Sequence, residues 1–138
     1  IIGDNVIFAN HSTLAGHVIV ENDVVVGALS AIHQFSRIGE GAMIGGMSGV
    51  TADVIPFSTV MGNRANLSGL NLIGLRRNKI NREELNELRK VFKYMFFDKN
   101  KTFNYRVNRV KDKNYKFISI QKILNFIEGN SKRSFCLP

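Results

Sequence analysis

Ile2-GDNVI, Phe8-ANHST, Leu14-AGHVI, Val20-ENDVV, Val26-GALSA, Ile32-HQFSR, Ile38-GEGAM, Ile44-GGMSG, Val50-TADVI and Pro56-FSTVM divide residues 2–61 into ten consecutive hexads. The first position is a large apolar residue in nine of the ten, and the fifth is always small or β-branched, from Val6 and Ser12 through to Val54 and Val60. Neither the helix period of about 3.6 nor the strand period of about 2 produces that spacing. A six-residue repeat does, and it marks a parallel β-helix. If each hexad forms one side of a triangular coil, residues 18 apart in the sequence stack one coil above another, at a spacing of about 4.8 Å. The predicted columns are chemically uniform: Ile2, Val20 and Ile38; Phe8, Val26 and Ile44; Leu14, Ile32 and Val50; Ser12, Ser30 and Ser48. First-position side chains then fill the prism, and the small fifth-position ones sit where the chain turns a corner.

From Pro56, which takes an apolar ladder position, the repeat decays. Residues 62–74 are rich in turn formers and lead off the prism as a loop or one last irregular coil. From Asn81 the period becomes helical. Asn81-Arg-Glu-Glu84 has the form of a capping box, with Ile80 and Leu85 placed as a hydrophobic staple. Leu85, Leu88, Val91, Phe92, Met95 and Phe96 predict a helix over 82–97. Thr102 caps a second helix through Val110, and Ser119 a third to Glu128, ended by Gly129-Asn130, with Ile120, Ile123, Leu124 and Ile127 on one face. The tail 131–138 has no assigned structure.

The 138 residues suit one domain or two small ones, and 44% hydrophobic with 22% charged residues is a globular composition. No apolar run reaches the roughly 18 residues of a membrane span, and no secretory leader is visible. The lone Cys136 has no internal disulfide partner, which fits a reducing compartment; the cytoplasm is the expected location. Residues 1–75 carry two basic against five acidic groups, a net −3; residues 76–138 carry 17 against six, a net +11. The asymmetry predicts a boundary near Arg76, between a β-helix over 1–75 and a basic helical domain over 76–138, and it favours an acidic partner for the second half. The hexads are already in phase at Ile2, with no atypical capping coil before them. The chain therefore reads as the C-terminal part of a longer protein.

Stacking by 18 puts His17 and His33-Gln34 on one side of the prism, a coil apart. Gly16 allows a ligand close to the backbone and offers an N–H to a developing oxyanion. The same register places Asp53 in the column of His17 and Phe35. His11 reads as a surface residue. Zinc requires converging ligands of the right number and geometry, and none is evident. Gly45-Gly46 marks either a slot for a ligand tail or a tight corner. Arg76-Arg77 is either a phosphate grip or a solvated pair. The basic helices, with Lys90, Lys93, Arg106 and Arg109, form either a docking surface or a solvated face.

Asn10-His-Ser-Thr-Leu-Ala-Gly-His-Val18, Ala31-Ile-His-Gln-Phe35, Ile44-Gly-Gly-Met-Ser-Gly-Val50, Gly62-Asn63 and Gly69-Leu-Asn-Leu-Ile-Gly-Leu-Arg-Arg77, in this order, resemble the UDP-N-acetylglucosamine acyltransferases over essentially the whole chain. The resemblance implies a left-handed coil and a homotrimer with active sites between subunits. It also implies transfer of a 3-hydroxyacyl chain from acyl carrier protein to the glucosamine 3-hydroxyl, the first step of lipid A synthesis. It needs no cofactor beyond the phosphopantetheine of the carrier. On that resemblance Gly16 is the oxyanion-stabilising amide, and His17 and Gln34 are catalytic-site groups. His33 contacts the sugar or thioester region, Asn71 and Arg77 sit at the nucleotide, and Gly46 is the acyl-chain ruler. The basic helices receive the acidic carrier protein. The family's general-base histidine belongs to a segment upstream of Ile1, so the isolated chain is expected to be inactive. Ile73 and Asn78 stand where the family often has a carboxylate and a second arginine.

Three other readings remain open on the sequence. One is the N-acyltransferase acting later in the same pathway, another a non-catalytic or zinc-binding prism. A nucleic-acid binder is the third, although no regular interleaving of aromatic and basic residues provides a stacking platform.

Overall fold

The computed structural model describes residues 1–129 and 131–138. It is a left-handed parallel β-helix followed by helices. Eight two-residue strands recur along the coil: β1 (Ile7–Phe8), β2 (Thr13–Leu14), β3 (Ile19–Val20), β4 (Val25–Val26), β5 (Ala31–Ile32), β6 (Arg37–Ile38), β7 (Met43–Ile44) and β8 (Gly49–Val50). The pairings Phe8↔Val26↔Ile44, Leu14↔Ile32↔Val50 and Ile2↔Val20↔Ile38 are the columns the hexads predict. The serine column forms too: Ser48 N donates to Ser30 Oγ at 3.2 Å.

The corner assignment needs correction. Fifth-position residues Val18, Val24, Ser30, Ser36, Ala42 and Ser48 are buried inside the prism, beside the first-position residues. The corner is made by the fourth position instead: Asn5, His11, His17, Asp23, Leu29, Phe35 and Met47 all have φ between 55° and 65°. Positions five and one point inward with the sixth outward between them, which is strand alternation, and the left-handed residue reverses the chain between sides. Each such non-glycine residue costs about 1–2 kcal/mol, offset here by the ladder bonds it allows.

The repeat loses two residues after Val50. Ile38 pairs with Val54 and Ile44 with Val60, both 16 apart. Val54 and Val60 therefore fill the ladder positions that the sequence phase gives to Pro56 and Gly62, and Pro56 moves to the corner, packed against Gly39. The segment read as a loop or irregular coil is more ordered than that. β9 (Ser58–Met61) and β10 (Asn66–Leu70) form an antiparallel hairpin on the last coil, followed by α1 (Leu72–Arg77).

α2 (Arg82–Phe97) matches the predicted span, and its six predicted core residues are all buried. Asn81 caps it by accepting from Glu83 N, but Glu84 does not close a capping box: its Oε1 accepts from Ser119 N at 3.0 Å. α3 (Phe103–Asp112) is capped by Thr102. α4 (Ile118–Glu128) starts one residue before Ser119, which is inside the helix and not its cap. Gly129 ends α4, and Asn130 lies outside the described residues.

The tail returns to the prism. Phe135 bridges to Asp53, Asp53 N donates to the Ser134 carbonyl at 2.7 Å, and Cys136 N donates to the Asp53 carbonyl at 2.7 Å. Phe135 lies 6.2 Å and 6.3 Å, centroid to centroid, from Phe103 and Phe126, tying helices and prism into one core. Burial pushes the adjacent Cys136 thiol up to about 11.

Candidate functional site

The three corner columns hold different chemistry. One carries His17 and Phe35, between the β2–β5–β8 and β3–β6 sides. The His17 and Phe35 rings stack with centroids 4.9 Å apart and planes 5° from parallel. The stack fixes an exposed imidazole on a rigid wall. Gly16 precedes it in the same turn. Its carbonyl accepts from Phe35 N at 3.0 Å, whereas its N–H has no acceptor among the described residues. A Cβ built on Gly16 would meet nothing within 4 Å, so the space beside this free donor is open.

His33 and Gln34 lie one coil above, at the start of the Phe35 turn, and both are exposed. The structure thus brings Gly16, His17, His33 and Gln34 together as expected. It also adds residues that sequence reasoning missed. Arg133 Nε donates to the Gln34 carbonyl at 3.0 Å, and its guanidinium reaches His33 Nδ1. Lys132 Nζ stands 4.5 Å above the Phe35 ring. No periodicity signals either one, because the tail's position follows from its pairing with Asp53.

Asp53 is not in the His17 column. The two-residue shortening moves it over Arg37, whose N donates to Oδ1 at 2.9 Å and whose Nε donates to Oδ2 at 2.8 Å. It is a buried structural acid, 0% exposed. Arg37 also donates to the Phe126 carbonyl at 3.0 Å and covers that ring, so the pair clamps α4 to the prism.

Asn71 and Arg77 lie elsewhere. Asn71 caps α1, accepting from Gly74 N at 3.1 Å and donating to the Gly41 carbonyl at 3.0 Å. With Arg77, Ile73 and Asn78 it lines a cleft of about 420 Å³ beside the Asn5–Asp23 corner. Arg76 is not in that cleft's wall. Gly46 lies on the third corner, in the Gly46-Met47 turn, with Met47 N bonded to the Ala28 carbonyl at 2.8 Å. Gly46 thus leads into the Met47 corner with little but the Ala28 backbone beside it, whereas Gly45 faces Met61. The seven site residues are consequently split over all three corners of one chain. Among the described residues no group of three His, Cys, Asp or Glu side chains is placed to hold a metal ion.

Residues 53–136 match the family described as UDP-N-acetylglucosamine O-acyltransferase, domain 2. The chain belongs to that family. The acyl-(acyl-carrier-protein)–UDP-N-acetylglucosamine O-acyltransferase of Paracoccus denitrificans is 44% identical over 141 residues, covering 99% of this chain and 51% of the relative. The enzyme of the same name from Aliarcobacter butzleri is 53% identical over 96 residues, 70% of this chain and 37% of its own length. The solved Arabidopsis UDP-N-acetylglucosamine acyltransferase superposes with a TM-score of 0.93 at 38% identity, covering 98% of this chain and 50% of that one. The chain thus spans about half the length of these relatives. Of the two acyltransferase readings left open by the sequence, the family match selects the O-acyltransferases. It also spans the last coil, the hairpin, the helices and most of the tail, so the strap bearing Lys132 and Arg133 lies within the matched region.

Proposed function

We propose that the full-length protein containing this chain transfers a 3-hydroxyacyl group from acyl carrier protein to the 3-hydroxyl of UDP-N-acetylglucosamine, the first committed acylation of lipid A synthesis. The observation that carries this reading is the wall at the His17 corner: an unengaged Gly16 N–H, open space beside it, and His17, His33 and Gln34 on adjacent coils. In the reaction the sugar oxygen attacks the thioester carbonyl, the hydroxyl proton passes to a general base, and the pantetheine thiolate leaves. The Gly16 N–H is suited to the oxyanion that forms on the carbonyl oxygen. The base belongs to the segment that the resemblance places before Ile1.

The nucleotide falls to the cleft of Asn71 and Arg77, where a guanidinium faces a diphosphate. Because that cleft and the His17 wall lie on different corners, the two halves meet when subunits pack side by side, and a homotrimer satisfies this. Prism (1–75) and basic helical part (76–138) then divide the work: the prism holds the reacting groups, and the +11 half receives the acidic carrier protein. No described helix is long and apolar enough to cross a membrane; a cytoplasmic location is part of the proposed reading.

Gly46 is the proposed chain-length ruler. A Cβ there would meet only the Ala28 backbone, its nearest atom the carbonyl oxygen at 3.3 Å, so the fold accepts a larger residue after a shift of a few tenths of an ångström. The test is an assay of the full-length protein with a series of 3-hydroxyacyl donors, following the acylated UDP-sugar by mass. Gly46→Met is expected to move the preference to shorter chains. Unchanged preference removes Gly46 from this role, and no product with any donor refutes the function.

A further inference from the structure

The tail lies as a strap across the wall that carries His33. Ser131 Oγ is bonded to the Asp53 carboxylate, and the next residues are held by the backbone bonds between Asp53 and Ser134 and Cys136. Between these anchors Arg133 spreads its fork over the wall. Nε donates to the Gln34 carbonyl at 3.0 Å, Nη1 donates to the Thr51 carbonyl at 3.4 Å, and Nη2 faces His33 Nδ1. The two carbonyls hold the guanidinium in place, so its third contact is not free to wander.

A guanidinium carries donors only and stays charged. A hydrogen bond between them requires Nδ1 as the acceptor, which puts the single proton of a neutral imidazole on Nε2; the competing acceptor near Nδ1, the Gln34 carbonyl at 3.5 Å, is itself engaged by Arg133 Nε. We propose that Arg133 is a positioning residue for His33: it holds the ring as the Nε2–H tautomer and so makes Nε2 a fixed hydrogen-bond donor to an oxygen of the bound substrates. This rests on the acyl-transfer reading above. The opposite tautomer would turn a lone pair toward that oxygen and could not bond a carbonyl or phosphate oxygen there. Lys132, the preceding strap residue, covers Phe35, which in turn stacks on His17. The strap thus sets the ring behind one histidine and the proton of the other.

The test uses the full-length protein labelled with 15N, above the ordinary imidazole range of about pH 6.5, with His33 assigned by the signals lost in His33→Gln. In the wild type Nδ1 is expected to be unprotonated and Nε2 protonated. Arg133→Met, which has no donor, should give a mixture of tautomers and lower kcat about tenfold with little change in KM for the UDP-sugar. Arg133→Lys should restore the tautomer with one donor although it loses the carbonyl contacts, a rescue that a purely structural staple would not show. Thermal melts confirm that each variant is folded. A wild type with mixed tautomers, or an unchanged Nε2–H tautomer in Arg133→Met, overturns the proposal. A tautomer switch in a wild-type background devoid of acyl transfer instead sinks the functional reading while supporting the Arg133–His33 link.

Discussion

Asp53 has no exposed surface, and its carboxylate accepts from three donors on two segments: the Arg37 backbone, the Arg37 side chain and the Ser131 hydroxyl. A buried carboxylate is tolerable only with such partners. Phased at 18 residues, it would stand over His17 and invite a catalytic reading. Phased at 16, as Ile38↔Val54 requires, it stands over Arg37 and closes the strap onto the prism. Asp53→Ala leaves the Arg37 guanidinium, 14% exposed, against the Phe126 ring without its counter-ion. The expected loss is about 3–5 kcal/mol of stability, read from urea unfolding of the full-length protein. A loss below about 1 kcal/mol would place this pair with solvent-screened surface bridges.

Among the elements, what repeats was legible and what depends on distant contacts was not. Columns such as Leu14↔Ile32↔Val50 follow from spacing alone, because each coil buries the same positions of each hexad. The face of α2 follows from its helical period for the same reason. The shortening after Val50 was hidden because Val54 and Val60 are themselves six apart, so the pattern resumes with a shifted phase that Pro56 only half betrays. The short helix α1 was missed because six residues provide little periodicity, and Asn71 fixes its start through a bond to Gly41, thirty residues away. The helix starts were confused where chemistry overlaps: Thr102 and Ser119 look alike in sequence, yet Thr102 Oγ1 accepts from Tyr105 N at 3.2 Å, whereas Ser119 Oγ is buried without a partner among the described residues. The two alanine substitutions should therefore diverge. Thr102→Ala is expected to cost about 1 kcal/mol, and Ser119→Ala to be neutral or mildly stabilising because it removes an unsatisfied hydroxyl. Paired denaturation curves check this, and an equal loss at both positions would restore Ser119 as a cap.

Across the whole molecule, the left-handed corners set out three columns of side chains on a rigid prism. Gly16, His17, His33 and Gln34 occupy one, the cleft of Asn71 and Arg77 adjoins another, and Gly46 belongs to the third. The grouping on the His17 corner was legible because it needs only the coil period. The separation from Arg77 was not, because it depends on where the hairpin and α1 leave the prism. On the proposed function, one chain presents the pieces of a site facing in different directions, and subunits packed side by side would reunite them. The direct measurement is complementation between full-length His17→Ala and Arg77→Ala proteins, each inactive or nearly so when purified alone. Co-expressed and randomly mixed in trimers, they should recover about a quarter of wild-type acyl transfer, since about one interface in four pairs an intact His17 wall with an intact Arg77 cleft. Mixed oligomers that form but recover no activity would show that the two corners do not serve one site across subunits.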